Sequence, residues 1–179
     1  MAVTDDDRLA ERIRSFRNHG IQVMGSHHDF IAAGFNYRLN ELEATLGISQ
    51  MDEIQKIIDE RQRLAESYTN LLKSIPGVSF QQTLPGATAV WQAFVIRCQK
   101  GDLGSVVERL RKFGIEANIG TYALHLLQFY RGKYHYQPSD FPNAATLYSR
   151  NMSLPFYNGM SREGIEQVVE TLREVRDED

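Results

Sequence analysis

Cysteine is nearly missing from this sequence: its 179 residues include one, Cys98. A lone cysteine forms neither an internal disulfide nor a cysteine-type zinc site, which points to a reducing compartment, most simply the cytoplasm. Its place in an apolar run makes Cys98 a core filler rather than a nucleophile. Long apolar runs are lacking too, and none approaches the roughly 20 residues of a membrane span. The N-terminal stretch MAVTDDDRLAERIRSF is acidic and amphipathic, without the apolar centre of a signal peptide. No sign of charge dominates. The net charge is −3 with acids and bases mixed along the chain, so nothing favours nucleic acid or an anionic membrane in bulk. Also missing are a P-loop, a dinucleotide fingerprint, a nucleophile elbow, a His-Glu-x-x-His helix, internal repeats and low-complexity segments.

What is present reads as a globular domain, with 42% hydrophobic and 24% charged residues. No proline precedes Pro76, and before it Leu39, Leu42, Leu46, Ile54, Ile57, Ile58, Leu64, Tyr68, Leu71, Leu72 and Ile75 fall mostly three or four apart. The spacing predicts one helix over 39–75, with Gly47 its weak interior position. A helix of about 35 residues is about 50 Å long. A compact domain of this size has a radius of gyration near 16 Å, on the order of a third of that length. Such a rod overhangs its own globule, and its apolar stripe requires another domain or another subunit.

Around it the pattern predicts smaller elements. Thr4 caps a helix over 4–17 whose first turn holds Asp5, Asp6 and Asp7, with Gly20 as its stop. Residues 21–33 have no period and read as a loop. VSFQQ is an edge strand, 89–98 a clear strand, and Asp102 caps a helix that ends at Gly114. IEANIGTY follows as a strand, giving a small α/β sandwich. Residues 123–150 read as irregular, broken by Pro138 and Pro142. Ser161 caps a last helix that buries Ile165, Val168, Val169 and Leu172, and the acidic RDED end is expected to fray.

Candidate chemistry concentrates in GFNYRLNE, residues 34–41. Asn36 and Asn40 stand where a helix begins, and an asparagine there can satisfy free N–H groups. The same N–H groups, the positive end of the helix dipole and the planar cation of Arg38 also suit a phosphate or carboxylate. Both readings, a cap with a surface charge and an anion site, stand at this point. His125, in TYALH, follows a predicted strand, where loops often carry site residues. His27 and His28 are adjacent without carboxylate–histidine spacing, which makes a poor metal site.

GFNYRLNELEATLGISQMDEI, RQRLAESYTNLL, GTYALH, FPNAATLYSRNMSLPFYNGMS and VVETLREV, in that order, resemble the DegT/DnrJ/StrS family of sugar aminotransferases, as does the opening VTDDDRLAERIRSFRNHG. The resemblance covers essentially all 179 residues. It implies an α/β (α+β) fold, the small C-terminal domain of the aspartate-aminotransferase, fold type I arrangement, joined by the long helix to a large cofactor domain. On that scheme residues 1–38 are a remnant of the cofactor domain, 39–75 the linking helix and 76–179 the small domain. The family uses pyridoxal 5'-phosphate to move an amino group from glutamate to a keto carbon of a nucleotide-linked sugar, as a homodimer packed through the long helix. The family's Schiff-base lysine precedes a GEGG stretch just before the VT seen here at Val3 and Thr4, and Lys56, Lys73, Lys100, Lys112 and Lys133 do not match it. The resemblance therefore implies a chain without its N-terminal cofactor domain, binding no cofactor alone and inactive alone. Asn36 matches the asparagine that reaches the cofactor phosphate of the neighbouring subunit, with Arg38 beside it. Tyr122 and His125 match the region facing the nucleotide sugar. The competing expectation is a non-catalytic dimerisation or regulatory module, and a weaker one is a small binder of phosphate ligands.

Overall fold

The computed structural model describes residues 2–99 and 101–177, so Glu178 and Asp179 of the acidic end lie outside the described residues. The chain divides into two units, 1–53 and 54–179. The division falls inside the predicted 39–75 helix, which is in fact two helices, α2 (Glu41–Asp52) and α3 (Ile54–Leu72), parted at Glu53. Acidic Asp52 and Glu53 sit at the negative end of the α2 dipole with no basic residue in the last turn, and Gly47 weakens the helix further. The apolar spacing continues through the point where the helix is interrupted.

In the first unit, α1 (Asp7–Phe16) starts one turn later than expected. Asp6 rather than Thr4 is its cap, accepting from the N–H groups of Arg8 and Leu9. The segment read as a loop is a β-hairpin, β1 (Ile21–Met24) against β2 (His27–Phe30), with Met24 opposite His27. Period-two alternation is missing because every residue of these strands except half-buried Ile21 is exposed. The available signal was the two-residue Gly25-Ser26 turn, where Gly25 has φ +65°.

The second unit is a four-stranded antiparallel sheet in the order β3-β4-β6-β5, from β3 (Val78–Phe80), β4 (Phe94–Cys98), β5 (Asn118–Ile119) and β6 (Asn151–Leu154). One face carries α3, α4 (Leu103–Lys112) and α7 (Arg162–Asp177). Alternation along β4 sends Phe94, Ile96 and Cys98 into the core, with Leu64, Tyr68 and Leu72 from α3, Val106 and Leu110 from α4, and Ile165, Val168, Val169 and Leu172 from α7. Burial pushes the Cys98 thiol above its ordinary range, which keeps it protonated as a core filler. The predicted strand over 89–98 begins only at Phe94. Trp91 is left-handed at φ 49°, and the Arg61 guanidinium takes the carbonyls of Trp91 and Gln92 at 2.8 and 3.0 Å. Residues 123–150, read as irregular, hold a 3-10 turn at Leu124–Leu126, α5 (Gln128–Tyr134), a second turn at Pro138–Asp140 and α6 (Pro142–Arg150). Pro142 starts α6 rather than breaking a helix, because an N–H is dispensable in the first turn.

Glu60 of α3 ties down the turn before α7. It accepts from Asn158 Nδ2 at 2.9 Å and from the Gly159 N–H at 2.7 Å, and these bonds hold its carboxyl below the ordinary value. A depressed folded pKa adds stability above the unfolded value and loses it as pH falls through the folded value. Glu60→Gln is expected to flatten the fall of the unfolding midpoint between neutral and acid pH. An unchanged pH profile would show that these bonds carry no linkage.

Candidate functional site

In the first unit the candidate residues are placed by a crossing of two backbone segments. The N–H groups of Phe35 and Tyr37 donate to the carbonyls of Phe16 and Arg17 at 2.7 and 2.8 Å, and the His19 N–H donates to Phe35 O at 2.8 Å. This pairs Asn18 with Asn36 as an antiparallel bridge. Arg38 Nη1 then donates to Asn18 Oδ1 at 2.6 Å. Asn18 is the residue that sequence reasoning missed: NHG reads as a helix stop, and no spacing signal ties residue 18 to residue 38.

The geometry separates the two readings of GFNYRLNE. Asn40 is the α2 cap, accepting from the Glu43 N–H at 2.9 Å, and the first turn carries Glu41 and Glu43. A capped and acidic N-terminus does not attract an anion. Asn36 and Arg38 remain, exposed and just before the helix. The Asn36 carboxamide has no hydrogen-bond partner among the described residues, and the Arg38 fork spends one donor on Asn18.

In the second unit, β5 leads through Gly120 to Tyr122 and the turn Leu124–Leu126. Tyr122 is exposed, its ring 5.8 Å from that of Tyr148. His125 is 6% exposed, with its ring 5.0 Å from Phe141, and its buried Nε2 has no partner among the described residues. An unmet buried polar atom costs on the order of 1–3 kcal/mol. His27 and His28 lie on exposed β2, where neighbours point to opposite faces.

The model of the DegT/DnrJ/EryC1/StrS aminotransferase family matches residues 1–173. The chain belongs to that family. Among curated family relatives it is 28% identical, over 189 residues, to the spore coat polysaccharide biosynthesis protein SpsC of Bacillus subtilis (strain 168), spanning 98% of this chain and 49% of SpsC. Among solved structures it is similar to PseC of Helicobacter pylori, an aminotransferase of pseudoaminic acid biosynthesis, with TM-score 0.88 and 23% identity over 99% of this chain and 48% of PseC. It is also similar to Spr1654 of Streptococcus pneumoniae in its PLP-form, with TM-score 0.86 and 18% identity over 99% of this chain and 46% of Spr1654. At these two identities the likeness is one of fold, and it establishes the mixed α/β, fold type I arrangement. The chain spans about half the length of the curated relatives it matches. No helix among the described residues is long and apolar enough to cross a membrane.

Proposed function

We propose that this chain supplies roughly half of a cytoplasmic, pyridoxal 5'-phosphate-dependent aminotransferase that moves an amino group from glutamate to a keto carbon of a nucleotide-linked sugar. The observation that carries the reading is the family match over residues 1–173 of a chain that covers only 49% of SpsC. On this reading residues 1–38 belong to the cofactor domain, and the chain corresponds to about half of the enzyme's length.

The residues present fit the phosphate end of such a cofactor. Asn36 offers an unengaged carboxamide, and Arg38 a guanidinium anchored through one donor with the rest of its fork open. Pyridoxal phosphate supplies, when bound, an electron sink for charge developing on the substrate carbon. This chain's own part is to grip the phosphate through Asn36 and Arg38. In its second unit Tyr122 presents a ring to the sugar nucleotide, and the His125 Nε2 is kept for a substrate hydrogen bond. The homodimer forms through the linking helices. None of the residues of α2 is buried, and Leu42 and Met51 stand 85% and 65% exposed. The same exposed face favours the second reading, a non-catalytic dimerisation module.

One reconstitution separates them. The chain alone is expected to give no single borohydride-fixed lysine adduct with pyridoxal phosphate and to self-associate in sedimentation. Co-expressed with the complementary half of a family member such as PseC, it is expected to bind the cofactor saturably. Asn36→Ala with Arg38→Ala should weaken that binding about 10- to 100-fold, the worth of one or two charge-assisted contacts. One stoichiometric lysine adduct on the chain alone would defeat the half-enzyme reading. Affinity unchanged in the double variant would defeat the phosphate assignment.

A further inference from the structure

The face of the sheet opposite α3, α4 and α7 holds a cavity of about 320 Å³, lined by Ser79, Phe80, Gln81, Val95, Arg97, Leu147 and Asn151. Three of these are one row. Ser79 of β3 lies opposite Arg97 of β4, and Arg97 lies opposite Asn151 of β6. Residues directly opposite on an antiparallel pair place their side chains about 4.5–5.5 Å apart on one face. The row is therefore a short strip of a hydroxyl, a guanidinium and a carboxamide across three strands.

Its chemistry is one-sided. No acidic residue lines the cavity. Arg97 is exposed and makes no ion pair or hydrogen bond among the described residues. Asn151 lines the same cavity, and its buried Oδ1 has no partner among the described residues. The cavity thus meets an unpaired planar cation with the Ser79 hydroxyl beside it, groups that suit the oxygens of an anion. A volume at the lower end of ligand pockets suits a small one.

The row also adjoins the candidate site. The Gly120 N–H donates to Asn151 O at 3.0 Å. A Cβ at Gly120 would stand 2.7 Å from Val95 Cγ1 and 3.1 Å from Asn151 Cβ. Only a glycine lets the segment leading to Tyr122 and His125 lie this close to Val95 and Asn151.

We propose that the row Ser79–Arg97–Asn151 is a binding site for a substrate oxyanion, a carboxylate or a phosphate, beside the Tyr122–His125 segment. The site deepens the proposed function and rests on it for the identity of the substrates, but its test needs no cofactor. A failure here leaves the half-enzyme reading standing, and the reconstitution above can fail without touching this row.

The test is an NMR titration of the ¹⁵N-labelled chain in low-chloride buffer, with sodium L-glutamate and, separately, with inorganic phosphate. At least one is expected to give saturable shifts at Arg97 Nε–H and at the Asn151 side-chain amide. Saturation by glutamate assigns an amino-donor carboxylate, and saturation by phosphate a phosphoryl group. Arg97→Gln, on an exposed position, should keep the backbone spectrum and lower affinity tenfold or more. Arg97→Lys keeps the charge without the fork and should fall between. Linear shifts with both probes would overturn the proposal, as would an affinity that Arg97→Gln leaves unchanged.

Discussion

Phe94→Ala is expected to cost about 3–5 kcal/mol, a large share of the stability of a small domain. Phe94 is fully buried in the second strand of the sheet. Its ring is the hub of an aromatic cluster, stacked on Tyr68 at 4.9 Å and on Trp91 at 5.5 Å, with Phe80 and Phe156 both at 6.1 Å. Neighbours on α3, β3 and the turn before α7 all lean on this ring, so no single one can move in to fill the hole. Tyr68 is least free to do so. Its hydroxyl donates to Pro155 O at 2.8 Å, and burial pushes its phenol well above the usual range, so it stays a donor. Trp91 is the one tryptophan of the chain, and its fluorescence reports this unit. Urea unfolding followed by that signal should show the midpoint falling with the slope unchanged. Phe94→Leu, which keeps most of the volume, should cost on the order of 1–2 kcal/mol. A loss below about 1 kcal/mol for the alanine variant would mean the cavity collapses, and the hub description would be wrong.

The same residues show how much of the fold the sequence exposes. Where one face is buried and the other wet, periodicity was sufficient: Ile165, Val168, Val169 and Leu172 of α7 were expected inside and are inside. Asp102 caps α4 as its type and position predict, accepting from the Ser105 N–H at 2.8 Å. Where burial is absent the pattern is silent, and the exposed β1–β2 hairpin passed for a loop. The 39–75 helix fails for the opposite reason. Its apolar spacing runs on past Glu53, but spacing reports which faces want cover, not whether backbone hydrogen bonding is continuous. The candidate site was half legible. Asn36, Arg38, Tyr122 and His125 could be singled out from residue type, place and resemblance. The Asn18 contact could not, because it depends on two backbone segments crossing, and neither could the Ser79–Arg97–Asn151 row, which exists only once strand register is known.

That crossing sets the second large effect. Gly20→Ala is expected to remove the local structure around Asn36 and Arg38 while leaving the second unit intact. Gly20 is buried, has φ +77°, and a Cβ there would stand 1.8 Å from the Ala32 carbonyl oxygen. Gly34 mirrors it, since a Cβ there would fall 2.1 Å from the Gly20 nitrogen. Two glycines thus let the chain after α1 cross the chain before α2 backbone to backbone. The left-handed conformation alone costs an alanine about 1–2 kcal/mol. The clash adds more, because the atoms in the way are main chain and no rotamer relieves it. The bonds at risk are Ile31 N–H to Gly20 O at 2.9 Å, His19 N–H to Phe35 O, and the two that carry Phe35 and Tyr37. Without them Asn18 no longer faces Asn36, and Arg38 loses the acceptor that aims its guanidinium. Hydrogen exchange should show protection lost at the amides of Ile31, Phe35 and Tyr37, with protection in β4 and β6 and the Trp91 signal unchanged. Gly25→Ala is the control. Gly25 has φ +65° but open space where the Cβ would go, so it should lose only the left-handed penalty and keep those amides protected. If Gly20→Ala behaves like Gly25→Ala, the crossing is not what positions Asn36 and Arg38, and the phosphate assignment loses its structural basis.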